Sequence, residues 1–170
     1  MNEFLDRLDK FATNLTPFVL SALLVMFSAM PVYLPTFGPV APNLALIAVF
    51  YWTIYRPDLL PAVAVLFLGL WQDILIGSPF GLNSIALLSA HGAIAFQRTF
   101  FQGKSFGVVW WAFGITAALA AFVFWLITMG YHLAVVDPAP LVFQFALTLA
   151  VFPFLTWLFA RVHHAILRQA

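Results

Sequence analysis

The chain has 170 residues, 64% of them hydrophobic and only 8% charged, with a formal net charge of +1. A soluble domain carries about a quarter charged residues, so this composition excludes one and points to membrane spans. The near-neutral balance without a basic cluster excludes nucleic-acid binding, and the lack of Cys excludes thiolate chemistry, disulfides and Cys-based zinc sites.

The apolar runs are continuous and do not alternate, which rules out a β-barrel and predicts an all-α polytopic bundle. Residues 1–16 carry five charges among Phe4, Leu8, Phe11 and Leu15 at helical spacing. They read as an amphipathic cytoplasmic segment lying on the membrane surface, ahead of a transmembrane domain over 17–160 and a short basic cytoplasmic tail over 161–170.

Run one extends from Pro17, well placed in a first helical turn, to about Leu34, and lacks a small-x-small cleavage site. It reads as a retained span. Pro31, Pro35, Pro39 and Pro42 then form a stiff, uncharged connector. Run two, about Pro42 to Tyr55, is short for roughly 30 Å of hydrocarbon, and Arg56-Pro57-Asp58 ends it. Runs three to six cover about Leu59–Gly77, Phe80–Phe101, Phe106–His132 and Ala139–Ala160.

Positive charge orients them. With six crossings and the N-terminus inside, Arg7, Lys10, Arg56, Arg98, Lys104, Arg161 and Arg168 are all cytoplasmic, and the outer loops hold only Asp137. Without a crossing at run two, five of those seven cations would fall outside. Six helices with both ends in the cytoplasm is the expected topology.

Run three carries the intramembrane carboxylate. Gly69, Asp73 and Gly77 are four residues apart and share one helical face, a small–acid–small row that invites close helix approach. Ser78-Pro79 breaks the helix and Gly81 permits a tight turn into run four. In the six-span topology Asp73 sits about 6 Å below the outer helix end, with Asn83, Ser84 and Gln72 at similar depth. This polar corner either cements helix packing or serves a partner or ligand. His91 lies about 15 Å deep, too far to pair with Asp73.

No catalytic set emerges. Gly103-Lys104-Ser105-Phe106-Gly107 spells Gly-x-Ser-x-Gly, but a nucleophile elbow needs a strand before it and a helix after it. The same Gly-Lys-Ser has Arg98 where a phosphate loop needs Gly. Ser84, Ser89, His91 and His132 make no recognisable Ser–His pair, and adjacent His163-His164 lack the spacing of metal ligands. No metal, cofactor or enzymatic activity is expected. In run five, Gly114, Ala117, Ala118 and Ala121 mark a packing face, while Trp110-Trp111 and Tyr131 suit interface anchoring.

Taken together, Pro42-Asn43, Tyr51-Trp52, Pro57, Gly69, Asp73, Gly77 and Gly81, followed by Phe124-Trp125, Pro153 and the basic tail from Arg161, resemble the MreD family of bacterial rod-shape proteins. The similarity spans runs two to six. It implies a non-enzymatic inner-membrane scaffold of the cell-elongation complex that builds side-wall peptidoglycan. Implied partners are MreC, with one span and a large periplasmic part, and in the wider complex MreB, RodA and a class B penicillin-binding protein, besides membrane lipid. The family's six-helix arrangement is similar to the substrate-binding S components of energy-coupling-factor transporters. The second functional reading is therefore the membrane subunit of a small-molecule, vitamin-type transporter.

Docking of a single-span partner is expected along the face bearing Gly69, Asp73 and Gly77, with a partner amide or cation satisfying the acid.

Overall fold

The computed structural model describes residues 16–30, 32–34, 38–101 and 103–167. All but the last residue of the expected amphipathic segment lies outside them, as do Pro31, Pro35 and Arg168. The architecture is helical: α1 (Thr16–Ser28), α2 (Leu44–Tyr55), α3 (Ala62–Ile76), α4 (Leu82–Phe101), α5 (Phe106–His132) and α6 (Ala139–Leu167).

Run one is shorter than its hydropathy indicates. Helix α1 stops at Ser28, and the proline connector folds into a small antiparallel hairpin, β1 (Val32–Leu34) and β2 (Gly38–Val40), with Val32 opposite Val40. Proline lacks the N–H a helix needs but is tolerated on an edge strand, as Pro39 is opposite Tyr33 in this two-stranded ladder. Strand β2 lies against α6. Run six is longer than expected, because α6 continues past Arg161 into the basic tail.

Helix α2 is the axis of the fold. Its 12 residues are apolar all round, and Ala45 through Ile54 are buried. Such a helix has no solvent or lipid face and must be enclosed, here by contacts with α3, α4, α5 and α6. At 1.5 Å per residue it is about 18 Å long, and polar groups close both ends. Asn43 caps its start, accepting the Leu46 N–H at 3.1 Å, and the Arg56 N–H donates to Trp52 O at 2.8 Å at its end.

The contacts fix the helix directions. Asn43 N–H donates to Thr148 Oγ1 at 2.9 Å, while Tyr51 and Trp52 pack on Phe159, so α2 and α6 run the same way. Thr53 meets His91 at 2.9 Å, which sets the later half of α2 against the middle of α4. The helices therefore alternate, with Arg56, Arg98, Lys104 and Arg161 gathered at one end of the bundle and Asp137 at the other.

Two helices are long and apolar enough to cross a membrane, α5 and the Ala139–Val162 part of α6. Helices α1, α2 and α3 are apolar but shorter.

Aromatic rings fill the core beside α2. Phe113 and Phe152 stack with centroids 4.1 Å apart, and Phe50 meets both edge-on at 5.1 and 5.6 Å. Such pairs add about 1 kcal/mol each beyond the area they bury. The buried face of α5 is Val109, Ala112, Phe113, Thr116, Ala117 and Ala120. Of the expected small-residue face Ala117 belongs to it, and Gly114 packs on α6, where a Cβ would meet Leu149 Cδ2 at 3.6 Å. Ala118 is exposed, because it lies one residue, or 100°, round the helix from Ala117.

Helix α6 carries Pro153 inside it. Proline has no N–H for the carbonyl four residues back, which is Leu149. Trp110 of α5 supplies a donor instead, its indole N–H reaching Leu149 O at 3.4 Å. The tryptophan expected only as an interface anchor thus also ties α5 to the proline break.

Candidate functional site

The α3–α4 corner is built by a chain reversal. Helix α3 ends at Gly77, whose φ of +74° is left-handed, and the N–H groups of Gly77 and Ser78 both donate to Asp73 O, at 2.9 and 3.1 Å. Gly81, with φ +90°, completes the turn. Both glycines occupy backbone conformations that a side chain disfavours.

The Asp73 side chain then closes the reversal from inside. It is 1% exposed and accepts four hydrogen bonds. Oδ1 takes the Ser78 hydroxyl at 2.6 Å, the Asn83 N–H at 3.0 Å and Asn83 Nδ2 at 2.9 Å; Oδ2 takes the Gly81 N–H at 2.8 Å. Two of these donors are backbone N–H groups at the start of α4, which no residue within that helix can satisfy. A carboxylate there complements the positive end of the helix dipole, so Asp73 caps α4 from the neighbouring helix. The acid is satisfied by its own chain, and a partner's amide or cation is not needed to neutralise it.

The expected glycine row divides into two roles. Gly69 packs against the α4 backbone: a Cβ there would come within 2.6 Å of the Ser84 nitrogen. Gly77 faces open space, with nothing within 4 Å of a Cβ, so it serves turn conformation and not helix contact. Sequence spacing put both on one face but could not show that α3 ends between them. Ser84 is buried beside Gly69 and donates to Leu66 O at 3.2 Å, away from the Asp73 cluster it was expected to join.

The other motif residues are also structural in geometry. Pro42 O accepts the Ser28 hydroxyl at 2.9 Å, and Ser28 Oγ accepts the Leu44 N–H at 2.9 Å, so Pro42-Asn43 joins α1, α2 and α6. Tyr51 and Trp52 are buried at 4% and 2% and meet edge-on. Pro57 occupies the second position of a turn closed by Leu59 N–H to Arg56 O at 3.1 Å, where its fixed φ is favourable. Trp125 donates its indole N–H to Val136 O at 3.0 Å, holding the α5–α6 loop, while Phe124 faces a cavity.

That cavity, of about 560 Å³, lies at the Asp137 end of the bundle. Ser78 and Asn83 of the corner form part of its wall, with Asn43, Gln144 and Asp137. Gln72, also in the wall, is 1% exposed, and its Oε1 has no hydrogen-bond partner. The sequence grouped Gln72 with the Asp73 corner by depth alone. One position along the helix from Asp73, it turns away from the cluster.

His91 pairs with Thr53. The Thr53 Oγ1 lies 2.6 Å from Val49 O and 2.9 Å from His91 Nδ1, so one hydroxyl links the α2 backbone to the imidazole of α4. Ser89 donates to Ala86 O at 2.7 Å. Among the described residues no group of three or more His, Asp or Glu side chains is placed to hold a metal ion.

The chain matches no protein-family model, no curated protein and no solved structure.

Proposed function

We propose that the chain is a non-enzymatic scaffold of the bacterial inner membrane, of the MreD kind, acting in the cell-elongation machinery that builds side-wall peptidoglycan. It crosses the membrane six times with both termini in the cytoplasm, and it holds an MreC-type single-span periplasmic protein within an assembly that includes MreB, RodA and a class B penicillin-binding protein.

The observation that carries the reading is the use made of Asp73. The four residues of the MreD-like core, Gly69, Asp73, Gly77 and Gly81, are spent on one rigid helix reversal, through a close approach, a cap and two left-handed turns. An acid serving chemistry keeps a proton or a coordination position accessible. Asp73 accepts four donors of its own chain, the arrangement of a frame.

The distribution of charge supports the six-span topology. Basic residues follow the same end of successive helices, Arg56 after α2, Arg98 in the last turn of α4, Lys104 before α5 and Arg161 in α6. That end is the cytoplasmic one by the positive-inside rule. The brevity of α2 is compatible with a crossing, because a helix enclosed by protein need not match the hydrocarbon thickness with its own length.

The Asp73 carboxylate, buried and engaged by Ser78, Gly81 and Asn83, is not the group on which the partner docks. Depletion in the bacterium that carries the gene tests the reading. Rods are expected to round up and to recover when the chain is supplied again; unchanged rods with normal side-wall synthesis would overturn it.

A further inference from the structure

All six helices contribute to the wall of the cavity at the Asp137 end of the bundle. Its volume of about 560 Å³ falls within the usual range for small-molecule sites, about 300–1,000 Å³. On α5 the wall is made of short side chains, Ala117, Ala120 and Ala121, which leaves space opposite α6. Leu75 and Ile76 of α3, 39% and 49% exposed, carry the apolar wall to the surface of the bundle.

Charge and hydrogen bonding restrict what fits. No Lys, Arg or His lines the cavity, so a phosphate drawn inside would lose its hydration without a compensating cation. Asp137 is exposed and already accepts the Ala139 N–H at 2.9 Å, and Gln72 Oε1 is sealed within the protein. Neither is available to a ligand.

Two amides in the wall are. Asn43 Oδ1 is taken by the Leu46 N–H, but Asn43 Nδ2 has no partner among the described residues. Gln144 engages through its backbone carbonyl, which accepts the Thr148 hydroxyl at 2.6 Å, and its side-chain amide has no partner among the described residues. Neither amide is sealed. Thr148 brings the two residues together, since its Oγ1 also accepts the Asn43 N–H at 2.9 Å. Gln144 lies in the α6 stripe that lines the cavity, between Leu141 and Thr148 on the same face. Free amide N–H groups on an uncharged wall complement a neutral carbonyl.

Depth indicates which carbonyl. Gln144 is five residues beyond Ala139, the first of α6, so it lies about 7.5 Å along the axis. In the six-span topology proposed above, that distance runs inward from the outer surface. The interfacial layer is about 5–8 Å thick on each side of the hydrocarbon. Gln144 thus stands where the glycerol esters of a phospholipid join its acyl chains.

We infer that the cavity binds the ester end of a phospholipid acyl chain from the outer leaflet. The chain lies on the apolar wall, the ester carbonyl accepts from Gln144 with Asn43 beside it, and the charged headgroup stays in water. This assignment rests on the membrane topology of the proposed function.

The test is a thermal-unfolding titration of the purified chain in dodecyl maltoside, a detergent without a carbonyl. The probes are diacyl phosphatidylcholine and its dialkyl ether analogue of equal chain length, which differ in the carbonyls alone. A ligand that binds only the folded state raises Tm as its concentration rises. The ester lipid is expected to act at about fivefold lower concentration, the worth of about one hydrogen bond.

Gln144→Leu is expected to remove most of that preference while the chain still folds, because the amide it replaces has no partner within the described residues. Ala121→Phe, on the wall, is expected to remove it by filling the cavity. Equal action of the two lipids on the wild type would overturn the inference. So would a preference undiminished in both variants, or no shift with either lipid. A chain that stays dispersed without detergent would overturn the membrane reading itself, a result distinct from a failure to tell ester from ether.

Discussion

Asn83 reaches the Asp73 carboxylate twice, through its backbone N–H at 3.0 Å and its side-chain Nδ2 at 2.9 Å, both on Oδ1. One residue thus brings the start of α4 and an amide side chain to the same acceptor, and Ser78 and Gly81 complete the set. Replacing Asp73 by Leu strands these donors in a buried corner, each at a cost of about 1–3 kcal/mol. Asp73→Leu is expected to lower Tm in detergent markedly, and Asn83→Leu less, because the Asn83 backbone N–H survives. Equal Tm values for wild type and Asp73→Leu would show that the corner contributes no stability.

The two glycines of α3 are expected to respond differently. Gly69→Ala drives a Cβ into the backbone of α4 at Ser84 and separates the helices, so it should destabilise strongly. Gly77→Ala meets no neighbour but must hold a left-handed φ, which costs about 1–2 kcal/mol. Gly77→Asn should cost less, since Asn tolerates that conformation. Thermal unfolding of the three variants checks the ranking.

Trp110 and Pro153 form a coupled pair through Leu149 O. Trp110→Phe removes the indole donor to a carbonyl that proline leaves open, at about 1 kcal/mol. In a Pro153→Ala background the helix supplies its own N–H, and the same substitution should cost less. A double-mutant cycle in Tm or detergent-unfolding midpoint measures the difference. Additive effects would mean that the indole acts only by packing.

The absence of Cys allows the topology to be mapped without background. Val135→Cys, in the exposed α5–α6 loop, is expected to react with a membrane-impermeant maleimide in intact spheroplasts. Lys104→Cys, in the α4–α5 loop, is expected to react only after the membrane is opened. The opposite pattern would invert the orientation.

Much of this arrangement was legible in the sequence because hydrophobic runs and proline or glycine breaks report directly on helix ends. Run five coincides with α5 at Phe106–His132, and the Gly81 turn and the burial of Asp73 beside Asn83 follow from spacing alone. The proline connector was not legible as a hairpin, since a three-residue ladder depends on pairing across a turn and leaves no periodicity. The separate roles of Gly69 and Gly77 were hidden for another reason. Equal spacing along a helix says nothing about where that helix stops. The cavity draws its wall from all six helices, and no local pattern encodes a space between distant segments.

The scaffold reading is tested most directly by purifying the tagged chain in mild detergent from its native membranes and identifying what travels with it by mass spectrometry. The expected result is a single-span protein with a large periplasmic part, together with wall-synthesis enzymes, in amounts that survive substitutions inside the cavity. Recovery instead of paired ATPase subunits and a transmembrane coupling protein would contradict it and make the chain the substrate-binding half of a transporter.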